Sequence, residues 1–264
     1  MNRIDQLFSK KRDNILTLYF TAGFPELHST AQIIKLLAEN GVDMIEIGIP
    51  FSDPLADGET IQKSSQKALQ NGMSIKLLFE QLQDIRYYTQ VPLVLMGYLN
   101  PVLQFGVENF CQKCTEVGID GIILPDLPVQ EYQNEYQAIF EKYGLHKIFL
   151  ITPQTSPERI RKIDAVSRGF VYLVSQATTT GTKTGINTEQ EQFFAKIRDM
   201  NLKNPLLVGF GIADAESFRK ACKYAYGAII GSAFIKYIEQ NPNLEQSIPA
   251  FVQKIRPNTQ IAQK

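Results

Sequence analysis

The sequence is poor in the residues that usually build metal or redox centres: 264 positions hold two histidines and three cysteines. His28 opens a predicted helix and His146 falls in a link at the bottom of a strand, so both are expected at the surface, away from any chemistry. Cys111 and Cys114 form a C-x-x-C pair, but their setting, FCQKCTEVG, reads as an amphipathic helix ending at Gly118. No second ligand pair follows at zinc-site spacing. No other His, Asp or Glu cluster has metal spacing, so the expected metal set is none. The odd cysteine count suits a reducing cytoplasm better than a disulfide framework.

Net charge is missing too. Basic and acidic residues balance at 27 each, which argues against a nucleic-acid footprint or a polybasic membrane surface. No apolar run approaches membrane-spanning length, and MNRIDQLFSKKRDN lacks the apolar centre of a secretion signal. The expectation is a soluble, cytoplasmic chain with a small-molecule ligand.

What the chain does have is alternation. With 44% hydrophobic residues it can bury a large core. Eight short apolar runs, at 15–23, 43–49, 92–98, 120–126, 147–152, 169–175, 205–211 and 225–231, are separated by helix-like stretches. These lie at 28–40, 59–88 (split at Asn71-Gly72), 106–117, 130–142, 157–166, 188–200, 214–223 and 232–240. There are no hairpin signals and no composition break. Strict strand–helix alternation predicts an α/β fold, a single (β/α)8 barrel domain over 1–264, with a capping helix at 2–8 and an extra C-terminal helix at 244–256.

Helix-to-strand links such as Asn40-Gly41, Val117-Gly118 and Tyr143-Gly144 are short and end on a glycine helix stop. Strand-to-helix links are longer: IPFSDPLADG, TPQTSP and QATTTGTKTGINT. In this architecture the second class builds the active site. Gly209, Gly211, Gly231 and Ser232, beside the last two strands, offer backbone N–H donors at helix starts for an anion; close strand–helix packing is the other reading of the same glycines. Gly181 and Gly185 sit in a Thr- and Gly-rich stretch that reads either as a lid over that anion or as a plain surface loop.

Glu46 stands out because it interrupts an isoleucine-rich strand. Ile45, Ile47 and Ile49 alternate with Met44, Glu46 and Gly48, so the carboxyl shares the face opposite the isoleucines. Burial there raises its pKa towards neutrality and suits a group that gives and accepts protons. A structural hydrogen bond is the alternative, with Tyr172 as partner on either reading. Asp53 reads as a loop-ordering Asx residue or a participant; Asp57 reads as a helix cap or a second acid–base group. No inward strand position carries a lysine, which disfavours Schiff-base chemistry. Carboxylate acid–base work on a phosphorylated substrate remains, with Tyr19, Met96 and Tyr98 as an apolar, aromatic-friendly wall.

EIGIPFSDPLADG (46–58) followed by TIQ (60–62) closely resembles the signature of the tryptophan synthase alpha subunit family. The likeness extends through TAGFP (21–25), MGYLNPV (96–102), LPDLPVQE (124–131), YLVS (172–175), GFGI (209–212) and GSAFIK (231–236). It implies cleavage of indole-3-glycerol phosphate to indole and glyceraldehyde 3-phosphate. On that resemblance Glu46 handles protons at indole C3 and at the glycerol hydroxyl, Asp57 faces the indole nitrogen, and Tyr172 positions Glu46. Thr180 would lie near Asp57, while Gly181, Phe210, Gly211, Gly231 and Ser232 would hold phosphate. No cofactor is implied on this chain; pyridoxal phosphate is expected on a beta subunit that receives the indole in an alpha2beta2 assembly. The 50–58 loop and the region 98–105 would face that partner. The rival readings are another phosphate-binding barrel, an isomerase, and a subunit that mainly activates its partner. Two positions depart from the family pattern: Glu59 replaces a proline after Asp-Gly, and Thr178 replaces a glycine.

Overall fold

The computed structural model describes residues 1–174 and 186–257. Eight parallel strands close in sequence order: β1 (Ile15–Thr21), β2 (Met44–Gly48), β3 (Leu93–Met96), β4 (Gly121–Ile123), β5 (His146–Ile151), β6 (Val171–Val174), β7 (Leu206–Gly209) and β8 (Gly227–Ile230). This is the (β/α)8 barrel that the alternation predicts.

Period-2 alternation sorts the strand side chains. Tyr19 of β1 lies beside Glu46 of β2, and Glu46 beside Val94 of β3, all on the barrel's inner face. The isoleucines of β2 face the helical layer and are buried. On β5, Phe149 points outward and meets the Tyr132 ring at 5.4 Å, so Lys147, two residues away, also leaves the barrel interior. The lysine is nonetheless completely buried, with its Nζ donating to the Ile148 carbonyl at 2.9 Å and lying over the Phe149 ring. Burial pulls its pKa down to about 7.

The barrel floor is closed by the helix Arg3–Lys10, slightly longer than predicted and capped by the Asn2 side chain, which accepts from Ile4 N. Its Ile4 and Phe8 are buried. Ile4 Cδ1 would stand 2.9 Å from a Cβ at position 121, so Gly121 lets the plug seat. His146 contradicts the surface expectation. It begins β5, is 8% exposed, and contacts Asp5 through Nε2 at 2.8 Å, because the plug helix covers the strand's lower end.

Between β2 and β3 the chain makes three helices, Glu59–Gln70, Ile75–Leu82 and Ile85–Tyr88, rather than two. A further helix, Leu99–Phe105, lies outside the predicted helical stretches. Pro101 falls in its first turn, where no N–H is required. Asp126, after β4, accepts from Leu99 N and anchors that helix start. Gly41, Gly118 and Gly144 turn with φ of 79°, 80° and 67°, as expected of helix stops. The C-terminal helix runs Leu244–Ile255.

Candidate active site

A cavity of about 50 Å³ at the C-terminal mouth is lined by Tyr19, Glu46, Asp57, Met96, Tyr172, Phe210, Gly231 and Ser232, together with Ile61 and Ile229. Most of the residues singled out from sequence therefore meet in one place. A larger cavity of about 560 Å³ adjoins it and shares Met96 and Phe210. Thr180, Gly181, Gly185 and Thr178 lie outside the described residues.

Glu46 is 1% exposed, and its Oε2 is buried without a hydrogen-bond partner among the described residues. The structural alternative, a glutamate satisfied by a neighbour, thus leaves this oxygen unexplained. Burial first, and the Asp57 charge second, push its pKa from 4.5 up to about 8. At neutral pH the group is a carboxylic acid aimed into the cavity.

Asp57 differs. Helix Glu59–Gln70 is capped at Gly58 without any side-chain bond, so Asp57 is not the cap. Its Oδ2 instead accepts from the Tyr98 hydroxyl at 2.9 Å, and that hydroxyl accepts from Ala56 N at 3.0 Å. Burial lifts the carboxyl to about 6, with the Tyr98 bond opposing the rise. Tyr98, expected only as an apolar wall, is the positioning group of Asp57. The sequence signal available for this was a tyrosine just beyond the end of β3, next to the loop after β2. Asp53 is exposed and takes the Ser52 hydroxyl, while the loop is tied down by Phe51 N donating to Ser65 Oγ at 2.8 Å. Glu59 is exposed and pairs with Lys63 at 2.7 Å in the first turn of its helix. It has no part in the shift at Asp57.

Tyr172 is buried, and burial followed by the Glu46 charge drives its phenol well above the usual range, so it stays protonated. A Cβ on Gly209 would stand 2.1 Å from this hydroxyl. Gly209, expected as an anion donor through its N–H, also makes the seat for Tyr172. Gly48 does the same for Tyr19, whose hydroxyl would also be 2.1 Å from a Cβ there. The position of Gly48, two residues above Glu46 on the same face, was the readable sign. After β7, Phe210 and Gly211 both turn through the left-handed region, at φ of 68° and 75°. Such a conformation is strained for a phenylalanine and clusters at functional sites. Gly231 and Ser232 open the helix Ser232–Gln240, which has no acidic residue in its first turn, so its N-terminal end favours an anion.

Fold and site define a class: a (β/α)8 barrel with two desolvated carboxyls at its C-terminal mouth, facing the glycine turn and helix start after β8. Comparisons narrow it. Residues 4–262 match the family described as tryptophan synthase alpha chain. The tryptophan synthase alpha chain of Flavobacterium johnsoniae is 59% identical over 97% of this chain and 100% of that protein. That of Bacteroides thetaiotaomicron is 55% identical over 94% and 97% respectively. The crystal structure of tryptophan synthase subunit alpha from Legionella pneumophila superposes with a TM-score of 0.88 at 34% identity, covering 97% of this chain and 98% of that one. A chain of the tryptophan synthase complex from Pyrococcus furiosus gives 0.84 at 34% identity, covering 93% and 98%. The protein belongs to the tryptophan synthase alpha chain family.

Proposed function

We propose that Glu46 and Asp57 divide the proton work of a retro-aldol cleavage between them. As a tryptophan synthase alpha chain the protein is a carbon–carbon lyase that splits indole-3-glycerol phosphate into indole and glyceraldehyde 3-phosphate. Breaking the bond at indole C3 requires a proton delivered to C3 and a proton removed from the adjacent glycerol hydroxyl. Glu46, protonated at neutral pH, gives its proton to C3. Its carboxylate then takes the hydroxyl proton as the bond breaks, and the starting state returns. Asp57, with its lower pKa, is largely ionised and accepts from the indole N1–H, stabilising the cation that protonation at C3 creates. The single observation that carries this reading is the separation of the two carboxyls, one near 8 and one near 6, in the same cavity.

Tyr172 stays neutral and keeps Glu46 in place. Met96 and Phe210 provide apolar walls for the ring, and Phe210, Gly211, Gly231 and Ser232 hold the phosphate, with Thr180 and Gly181 joining from the stretch after β6. The partner is a beta subunit that carries pyridoxal phosphate and uses the indole for tryptophan synthesis in an alpha2beta2 assembly; this chain needs no cofactor of its own. Leu55, 89% exposed in the 50–58 loop, and Leu103, 45% exposed on the helix Leu99–Phe105, support placing the partner on this face. Among the described residues no helix is long and apolar enough to cross a membrane, in keeping with a cytoplasmic biosynthetic enzyme.

The test is indole release from indole-3-glycerol phosphate by the parent chain and by Glu46→Gln, each alone and with a beta subunit. The parent should release indole faster with the partner. The variant should bind the partner and lose at least about a thousandfold in kcat. No indole from the parent would refute the reaction, and a variant near the parent rate would refute the role of Glu46.

A further inference from the structure

Tyr98 stands where a helix cap belongs. It precedes the helix Leu99–Phe105 in an extended conformation, φ −116° and ψ 153°, yet makes no side-chain bond to that helix. Cap positions favour Ser, Thr, Asp or Asn, whose oxygens satisfy free N–H groups of the first turn. The Tyr98 side chain is committed elsewhere: its ring packs on Phe51 at 5.2 Å and its hydroxyl donates to Asp57 Oδ2 at 2.9 Å.

The missing acceptor comes from the loop after β4. Both carboxylate oxygens of Asp126 accept from Leu99 N, at 3.0 and 2.9 Å. Just before Tyr98, Gly97 N donates to the Ile123 carbonyl at 3.1 Å, so β4 and its loop hold the chain on both sides of the tyrosine. The Leu99 bond fixes the peptide that follows Tyr98, and with it the direction in which the side chain leaves the backbone. Beyond its two torsions a tyrosine side chain is rigid, so a change of direction at its base moves the hydroxyl. The loop that carries Asp126 is itself fastened: the Leu124 carbonyl accepts from Leu127 N at 3.2 Å and from the buried Lys147 Nζ at 3.4 Å.

We infer that Asp126 is a positioning residue for the cleavage: it caps the helix Leu99–Phe105 in place of Tyr98 and so aims the Tyr98 hydroxyl at the Asp57 carboxylate. This rests on the role given to Asp57 above, and deepens it. The Asp126 charge has no part in the shift at Asp57, so the link runs through the two hydrogen bonds.

The test is the pH profile of kcat/KM for indole-3-glycerol phosphate in the parent, Asp126→Ala, Asp126→Asn, Tyr98→Phe and the double variant Asp126→Ala with Tyr98→Phe. The Asp126 bond lies at the exposed rim, so in Asp126→Ala water takes up the Leu99 N–H and the fold is kept. The Tyr98 bond opposes the rise at Asp57, so misaiming the hydroxyl moves the carboxyl, and the acid limb, upward. Asp126→Ala should therefore lower kcat/KM about threefold near pH 6.5, with the loss vanishing by pH 8. Asp126→Asn keeps an acceptor for Leu99 N and should stay within about twofold of the parent throughout. On Tyr98→Phe, Asp126→Ala should shift the limb no further, because the bond it aims is already gone. A loss of equal size at every pH is what a merely structural role would give, and it would overturn the inference. So would an unmoved limb in Asp126→Ala, an Asn variant as poor as the Ala variant, or full additivity with Tyr98→Phe, each leaving the reaction standing. A parent profile with no acid limb near 6 would remove the role of Asp57 and this inference together.

Discussion

A carboxyl held at about 8 rather than 4.5 makes Glu46, the proposed proton donor, a liability to the fold. The folded state binds a proton that the unfolded chain releases between those values, so stability is greatest below 4.5 and falls as pH rises through 8. At pH 7 the loss is on the order of 3 kcal/mol. Denaturant melts of the parent should shift to lower midpoint between pH 5 and 8, and Glu46→Gln should remove most of that slope. Asp57 has its own tuning residue. Tyr98→Phe deletes the hydroxyl that opposes the rise at Asp57, so its carboxyl should move above 6. The acid limb of kcat/KM should then shift upward, with a loss of about tenfold near pH 6.5 that shrinks as pH rises.

At the scale of elements, the site depends on what strands leave out. Gly48 and Gly209 each stand where a side chain would occupy the space of a phenol. Gly209→Ala should push the Tyr172 hydroxyl away from Glu46 and lower kcat by at least about tenfold, while the far-ultraviolet circular dichroism stays that of the parent. Strand order and the inward face of β2, with Glu46 on it, were legible because period-2 alternation and turn chemistry are local. Contacts between distant segments were not. The burial of His146 comes from a helix more than a hundred residues earlier. The Tyr98 bond to Asp57 spans 41 positions. Lys147 follows a histidine and precedes an isoleucine, a pattern that does not announce a buried amine, and only the closed barrel with its outer helices desolvates it.

Across the whole molecule the two ends of the barrel do different work. At the bottom, Asp120 takes Arg3 at 3.0 Å and Arg86 at 2.8 Å, and Asp43 takes Lys11 at 2.7 Å and also Arg256, joining both terminal helices to the strand starts. These partly buried pairs brace the barrel, so the mouth can carry unpaired and strained groups. The mouth also carries the exposed apolar residues assigned to the partner. Leu103→Asp should weaken beta-subunit binding at least about tenfold in titration calorimetry, with cleavage by the isolated chain within twofold of the parent. The central claim, that Glu46 waits in the folded enzyme as an acid, is tested most directly by carboxyl carbon-13 NMR of glutamate-labelled protein across pH 4–10. The Glu46 resonance is identified by its loss in Glu46→Gln. The account expects a midpoint near 8; a midpoint in the ordinary glutamate range, near 4.5, would contradict it.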